Sequence, residues 1–140
     1  MDVLSSATSD ASSPRISVRN LTVGYGSYVL MRDVSFDVAR DDVFLIMGGS
    51  GCGKSTLLRV LMGLKEPQAG QVFYGDTDFW ACTPRERRRL MQRTGVLFQG
   101  GALWSSMTLA ENVGLPLQQY TRLSAAEIRE QASLKLALAG

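Results

Sequence analysis

The chain has no histidine. That absence removes the one side chain whose ordinary pKa suits proton transfer near neutrality, and with it any histidine-ligated metal within this stretch. Cysteine is nearly as scarce: Cys52 and Cys82 are the two copies, at no spacing that makes a metal site, and both are expected to be reduced thiols. No apolar run approaches the ~18 residues that cross a bilayer, so a membrane is expected to be reached through a partner and not by direct insertion. Excess charge is lacking too. A net charge of +2 is too small to argue for a nucleic-acid partner. Residues 1–14 are rich in Ser, Ala, Thr and Asp and have neither the basic start nor the apolar stretch of a secretory signal. They read as a mobile tail ahead of a domain over 15–140.

What is present is an ordinary globular composition, 45% hydrophobic and 20% charged, in 140 residues that make one domain at most. Two roughly alternating regions, 16–23 and 29–38, read as strands. Val43, Phe44, Leu45, Ile46 and Met47 follow as a continuous apolar run, the mark of a strand buried on both faces. Beyond it Leu57, Val60, Leu61 and Leu64 recur at helical spacing until Gly63 and Pro67 end the segment. Residues 71–74 and the run Val96, Leu97 and Phe98 read as further strands. Three helix starts carry a hydroxyl residue followed three positions later by glutamate: Thr83 with Glu86, Thr108 with Glu111, and Ser124 with Glu127. Strands alternating with helices predict an α/β fold with a mainly parallel sheet.

Between the run 43–47 and the helix lies Gly48-Gly49-Ser50-Gly51-Cys52-Gly53-Lys54-Ser55, a complete G-x-x-x-x-G-K-[ST] loop. A polyphosphate needs several donors converging on its oxygens, and glycines let a backbone curl tightly enough to aim successive N–H groups inward. The helix opening near Lys54 adds free N–H groups and a positive dipole end, and the Lys54 ammonium reaches the β- and γ-phosphates. Ser55 offers a hydroxyl to Mg²⁺. The expected nucleotide-binding set is Gly48, Gly49, Ser50, Gly51, Cys52, Gly53, Lys54, Ser55 and Thr56, with Mg²⁺ beside the phosphates; the loop alone would fit a small-molecule kinase, a GTPase or a motor.

Two residues outside the loop narrow the reading. Tyr25, in Val23-Gly24-Tyr25-Gly26, stands ahead of the loop where a ring stacks on an adenine, and Gln99 ends the strand that follows. Loop, aromatic and glutamine together resemble the ATP-binding cassette (ABC) ATPases. That resemblance implies a P-loop NTPase fold with an antiparallel β subdomain, part of a parallel core sheet and the start of a helical subdomain. It also implies that Lys54 and Gln99 serve catalysis, with Gln99 touching Mg²⁺ beside Ser55 and orienting the attacking water. A narrower likeness lies in residues 95–117, from Gly95-Val96-Leu97-Phe98-Gln99 through Glu111-Asn112-Val113 to Leu115-Pro116-Leu117, which look like the Mla/Mce-type subunits that power phospholipid or sterol movement. The partners implied are a membrane permease and a second copy of the ATPase packed head to tail, on the cytoplasmic face of the inner membrane. Leu103, Trp104 and Met107 stand where such a subunit receives its permease, or else are buried within the domain itself.

Arg85, Arg87, Arg88, Arg89 and Arg93 read as a solvated helix face, because no aromatic platform for bases accompanies them. The resemblance covers 16–140 but contains no LSGGQ-type signature, no apolar strand ending in Asp-Glu and no switch histidine. The chain therefore reads as the N-terminal part of a cassette, expected to bind ATP but not to turn it over alone. A soluble ABC protein without a permease, and a nucleotide-binding module without turnover, are the alternative readings.

Overall fold

The computed structural model describes residues 15–98 and 100–140. The expected tail over 1–14 and the predicted site residue Gln99 lie outside the described residues. The chain divides into two compact units, one ending at Gly95 and one beginning at Val96.

The first unit runs β1 (Ile16–Tyr25), β2 (Tyr28–Val38), α1 (Lys54–Leu61), β3 (Ala69–Tyr74), β4 (Thr77–Asp78) and α2 (Pro84–Met91). Its sheet has the order β2-β1-β3-β4, and each neighbouring pair is antiparallel. Val18, Leu21 and Val23 of β1 are buried although Val18 and Leu21 are an odd number of positions apart. An irregularity explains it: the register shifts between them at Asn20, whose φ of 46° is one that asparagine tolerates. The Asn20 N–H then donates to Ser35 Oγ at 2.8 Å instead of to a ladder carbonyl. Met31, Val34 and Val72 join from β2 and β3, Leu57 and Val60 from α1, and Phe79 closes the cluster. Burying side chains of this size stabilises by roughly 1.5 to 3 kcal/mol each. This core fixes α1 against β1, and the Tyr74 hydroxyl anchors its far end by donating to Leu61 O at 2.6 Å. Burial of that phenol raises its pKa.

Two expected core strands are corrected. Residues 43–47 are extended but unpaired among the described residues, and only one of their faces is covered. Phe44 stacks on Phe36 with ring centroids 4.7 Å apart and Ile46 packs against the core, while Val43, Leu45 and Met47 are 89%, 70% and 55% exposed. In the second unit Val96, Leu97 and Phe98 are likewise exposed and outside any strand. A parallel strand gains its hydrogen bonds only from neighbours delivered by crossover connections, and no described residue runs beside either segment. Pairing among the described residues is thus antiparallel, where a mainly parallel sheet was expected.

The basic run on α2 is also corrected at one position. Arg85, Arg88, Arg89 and Arg93 are exposed, but Arg87 turns inward. Its Nε donates to Phe79 O at 2.9 Å and its Nη2 to Trp80 O at 2.6 Å, with the guanidinium 4.8 Å from the Trp80 ring. Position on the helix, and not membership of a charged run, decides this.

The second unit contains α3 (Leu109–Tyr120) and α4 (Ala125–Ala139). They pack through Gly114, Ile128 and Ala132, all buried. A Cβ on Gly114 would stand 2.9 Å from Ile128 Cγ2, so the close approach of the helices requires glycine there. Ahead of α3 one side chain holds the loop. Asn112 Nδ2 donates to the carbonyls of Trp104, Met107 and Thr108, and its Oδ1 accepts from Trp104 N at 2.8 Å. Leu103 and Trp104 are 59% and 63% exposed in this unit.

Candidate nucleotide site

The predicted loop meets α1 at Gly53, which is the helix N-cap with φ 102° and ψ 2°. Side chains rarely adopt that conformation, and a Cβ there would lie 3.2 Å from Leu30 Cβ and Met31 Cγ of β2. Glycine is therefore needed twice over, for backbone freedom and for space. Having no side chain, it makes no cap bond, and the first turn of α1 contains no acid. Helical bonding begins with Leu57 N–H donating to Gly53 O at 2.8 Å. The N–H groups of Lys54, Ser55 and Thr56 thus have no acceptor within the helix.

The cation stands beside these donors. Lys54 Nζ donates to Gly48 O and Gly49 O, each at 2.7 Å, and lies 3.6 Å from Cys52 Sγ. These contacts are all to loop atoms, and no carboxylate among the described residues pairs with it. Gly49, Ser50, Gly51 and Ser55 are exposed, Cys52 is a half-buried free thiol, and Thr56 is buried. Free N–H groups, a helix dipole and an ammonium converge with no competing acid, which is what a phosphate requires.

For Mg²⁺ the exposed Ser55 hydroxyl is the available oxygen. No group of three or more His, Cys, Asp or Glu that suits a metal occurs among the described residues. One protein oxygen is nonetheless compatible with Mg²⁺, which takes much of its shell from phosphates and water.

Tyr25 ends β1, and its distance from the loop along the chain is bridged by α1. Arg59 Nη1 donates to the Tyr25 hydroxyl at 2.9 Å. Hydrogen bonding from Thr56, then from Arg59, lowers the phenol pKa. Lys65 Nζ lies 4.4 Å from the ring centroid. Gln68 Nε2 donates to Gly26 O at 2.7 Å and holds the adjoining turn. Sequence reasoning missed Arg59, Lys65 and Gln68. Helical spacing does place Thr56 and Arg59 on one face, but nothing in the sequence says that a ring from β1 sits over that face. A cleft of about 460 Å³, lined by residues including Arg15, Tyr74, Thr77, Leu90 and Arg93, contains none of the predicted site residues.

An uncapped helix start faced by a lysine, beside a tethered aromatic, is compatible with several families, and comparison with known proteins separates them. The ABC transporter family profile matches residues 31–139. The chain belongs to this family. Its curated relatives include the probable ribonucleotide transport ATP-binding protein mkl of Mycobacterium leprae, 38% identical over 125 residues, which are 89% of this chain and 36% of that protein. The intermembrane phospholipid transport system ATP-binding protein MlaF of Haemophilus influenzae is 34% identical over 89% of this chain and 47% of its own length. Among solved structures, the dimeric ATP-binding cassette MJ0796 bound to ADP and phosphate is similar with a TM-score of 0.76 and 28% identity, over 89% of this chain and 56% of that one. The chain thus spans less than half of either curated relative. Its fold is that of the N-terminal portion of an ABC-type nucleotide-binding domain.

Proposed function

We propose that the chain is the N-terminal, ATP- and Mg²⁺-binding part of the ATPase subunit of an ABC transporter. One observation supports this most directly: α1 begins on a glycine that offers no cap, with Lys54 held across the loop in front of it. The loop residues 48–53 and the N–H groups of Lys54, Ser55 and Thr56 take the phosphates, and Tyr25 takes the base. When bound, Mg²⁺ neutralises phosphate charge and Ser55 supplies its protein oxygen; Gln99 is proposed as a second contact. Hydrolysis is proposed for the complete cassette, with Lys54 and Gln99 serving it, and binding without turnover for these 140 residues.

The energy is proposed to drive transport, with phospholipid or a related lipid as cargo. Residues 95–117 and the phospholipid role in the name of MlaF support that cargo. The ribonucleotide role in the name of mkl is the competing indication. A permease is proposed to dock on Leu103, Trp104 and Met107, which the Asn112 bonds present outward, and a second copy of the subunit to complete the ATP site. That arrangement belongs on the cytoplasmic face of the inner membrane.

Calorimetric titration with ATP tests the core of the proposal. Lys54→Ala removes charge-assisted bonds worth about 1.5 to 3 kcal/mol each, so affinity should fall at least roughly tenfold. Unchanged affinity would refute the phosphate-loop assignment. In the complete protein, Trp104→Asp should abolish co-purification with the permease while ATP binding persists.

A further inference from the structure

We infer that Arg59 and Lys65 are positioning residues for the base, holding the Tyr25 ring as a prepared stacking face beside the phosphate loop. The inference rests on the nucleotide reading above and adds to it two residues that neither the loop pattern nor the aromatic position contains.

Tyr25 sits at the tip of the β1–β2 hairpin and is 47% exposed. A ring so placed, with no other restraint, would exchange between rotamers and point into solvent for much of the time. Here it is restrained at two places. The Arg59 guanidinium holds its hydroxyl edge at 2.9 Å, and the Lys65 ammonium lies 4.4 Å from its centroid, covering one face. Gln68 steadies the turn beneath through bonds to Gly26 O and from its own N–H to Thr22 O. One ring face then remains for a planar ligand.

Neither cation has a carboxylate partner among the described residues. Among the described residues the one ion pair is Arg19 with Asp37, so no carboxylate engages Arg59 or Lys65. The contacts bury little and contribute correspondingly little to folding. Their effect is on orientation. Arg59 lies five residues beyond Lys54 on α1, about 7.5 Å along the axis, so the helix that presents phosphate donors at its start also tethers the ring. A single rigid element thereby sets the separation between base and phosphate. Fixing the ring in advance lowers the ordering cost of binding, and a cation on one face polarises the π system.

The test uses the full 140-residue chain and two probes, Mg²⁺-ATP and inorganic tripolyphosphate, titrated by calorimetry. Arg59→Met, Lys65→Met and Tyr25→Phe should each weaken ATP by about three- to tenfold, while tripolyphosphate changes by less than about twofold. The double variant Arg59→Met/Tyr25→Phe should lose no more than Tyr25→Phe alone, because both changes break one bond. Arg59→Lys should recover part of the ATP affinity. Thermal midpoints within about 2 °C of the unsubstituted chain exclude a general loss of fold. Equal losses for both probes would make Arg59 a phosphate ligand and overturn the inference, as would unchanged ATP affinity. A gain of ATP affinity in Lys65→Met would show Lys65 competing for the base's face and would overturn its assigned role. Failure of the underlying reading looks different: the unsubstituted chain would then bind neither probe, or Lys54→Ala would leave tripolyphosphate affinity unchanged.

Discussion

The four helices of the described residues begin in two different ways. α2, α3 and α4 each open on a full capping box, in which Thr83, Thr108 or Ser124 accepts from the N–H of a glutamate three residues on, and that glutamate returns a bond to the cap N–H. These helices satisfy their own orphan donors and supply a negative charge to their own dipole. α1 opens on Gly53, with no cap bond and no acid in its first turn, and the nearest charge is positive. Gly53 is required there by its left-handed backbone and by its closeness to Leu30 and Met31, and the same glycine leaves the first N–H groups of α1 without a side-chain acceptor. The difference supports the proposal that α1 is the ligand-binding start.

Giving α1 a cap should therefore break the contrast, with the largest effect. Gly53→Asp places a carboxylate where phosphate is expected and should reduce ATP affinity by more than about tenfold. Gly53→Ala carries the same backbone strain, about 1 to 2 kcal/mol for a left-handed residue, without the charge. Comparing the two by ATP titration and thermal unfolding separates repulsion from strain; equal losses would show that strain alone decides.

Removing a cap elsewhere should be a smaller, purely structural event. Ser124→Ala should cost about 1 kcal/mol of stability, seen as a lower thermal midpoint, and leave ATP affinity unchanged. A loss of ATP affinity would mean that the boxed helices share the ligand role.

The third effect is a pH dependence of the boxed helices. Hydrogen bonds from the Thr83 side chain and N–H lower the pKa of Glu86, those of Ser124 do the same for Glu127, and the Thr108 N–H and hydroxyl do so for Glu111. A carboxylate held below its ordinary value stabilises the fold fully above about pH 4.3 and loses that contribution as pH falls through the lowered value. Helicity followed by circular dichroism should decline in that acid range, and Ser124→Ala should flatten part of the decline. An identical titration in the variant would remove the boxes as its source.

How far each feature was legible depended on the range of the interaction. The three boxes and the G-x-x-x-x-G-K-[ST] pattern were readable because each lies within a stretch of eight residues or fewer. Of the apolar residues read at helical spacing, Leu57 and Val60 are buried in the core while Leu64 is exposed. The Mla/Mce likeness in residues 95–117 was legible only as a resemblance, because relatives of 38% and 34% identity are named for different cargoes. Arg87 was misread because five arginines within nine positions look alike until Phe79 and Trp80 are folded back onto one of them.

Local chemistry alone determined where helices start, which helix offers bare N–H groups to a phosphate, and that Lys54 stands in front of them. Those properties depend on backbone conformation and near neighbours, which a short stretch of sequence specifies. Tertiary structure decided the rest. It placed Tyr25 on Arg59 across a separation of 34 residues, and it left residues 43–47 without a strand neighbour among the described residues although their composition matches a strand. The physical reason is common to both: a ring's position and a strand's burial depend on what the chain brings alongside, and apolar composition states only what a segment is able to bury.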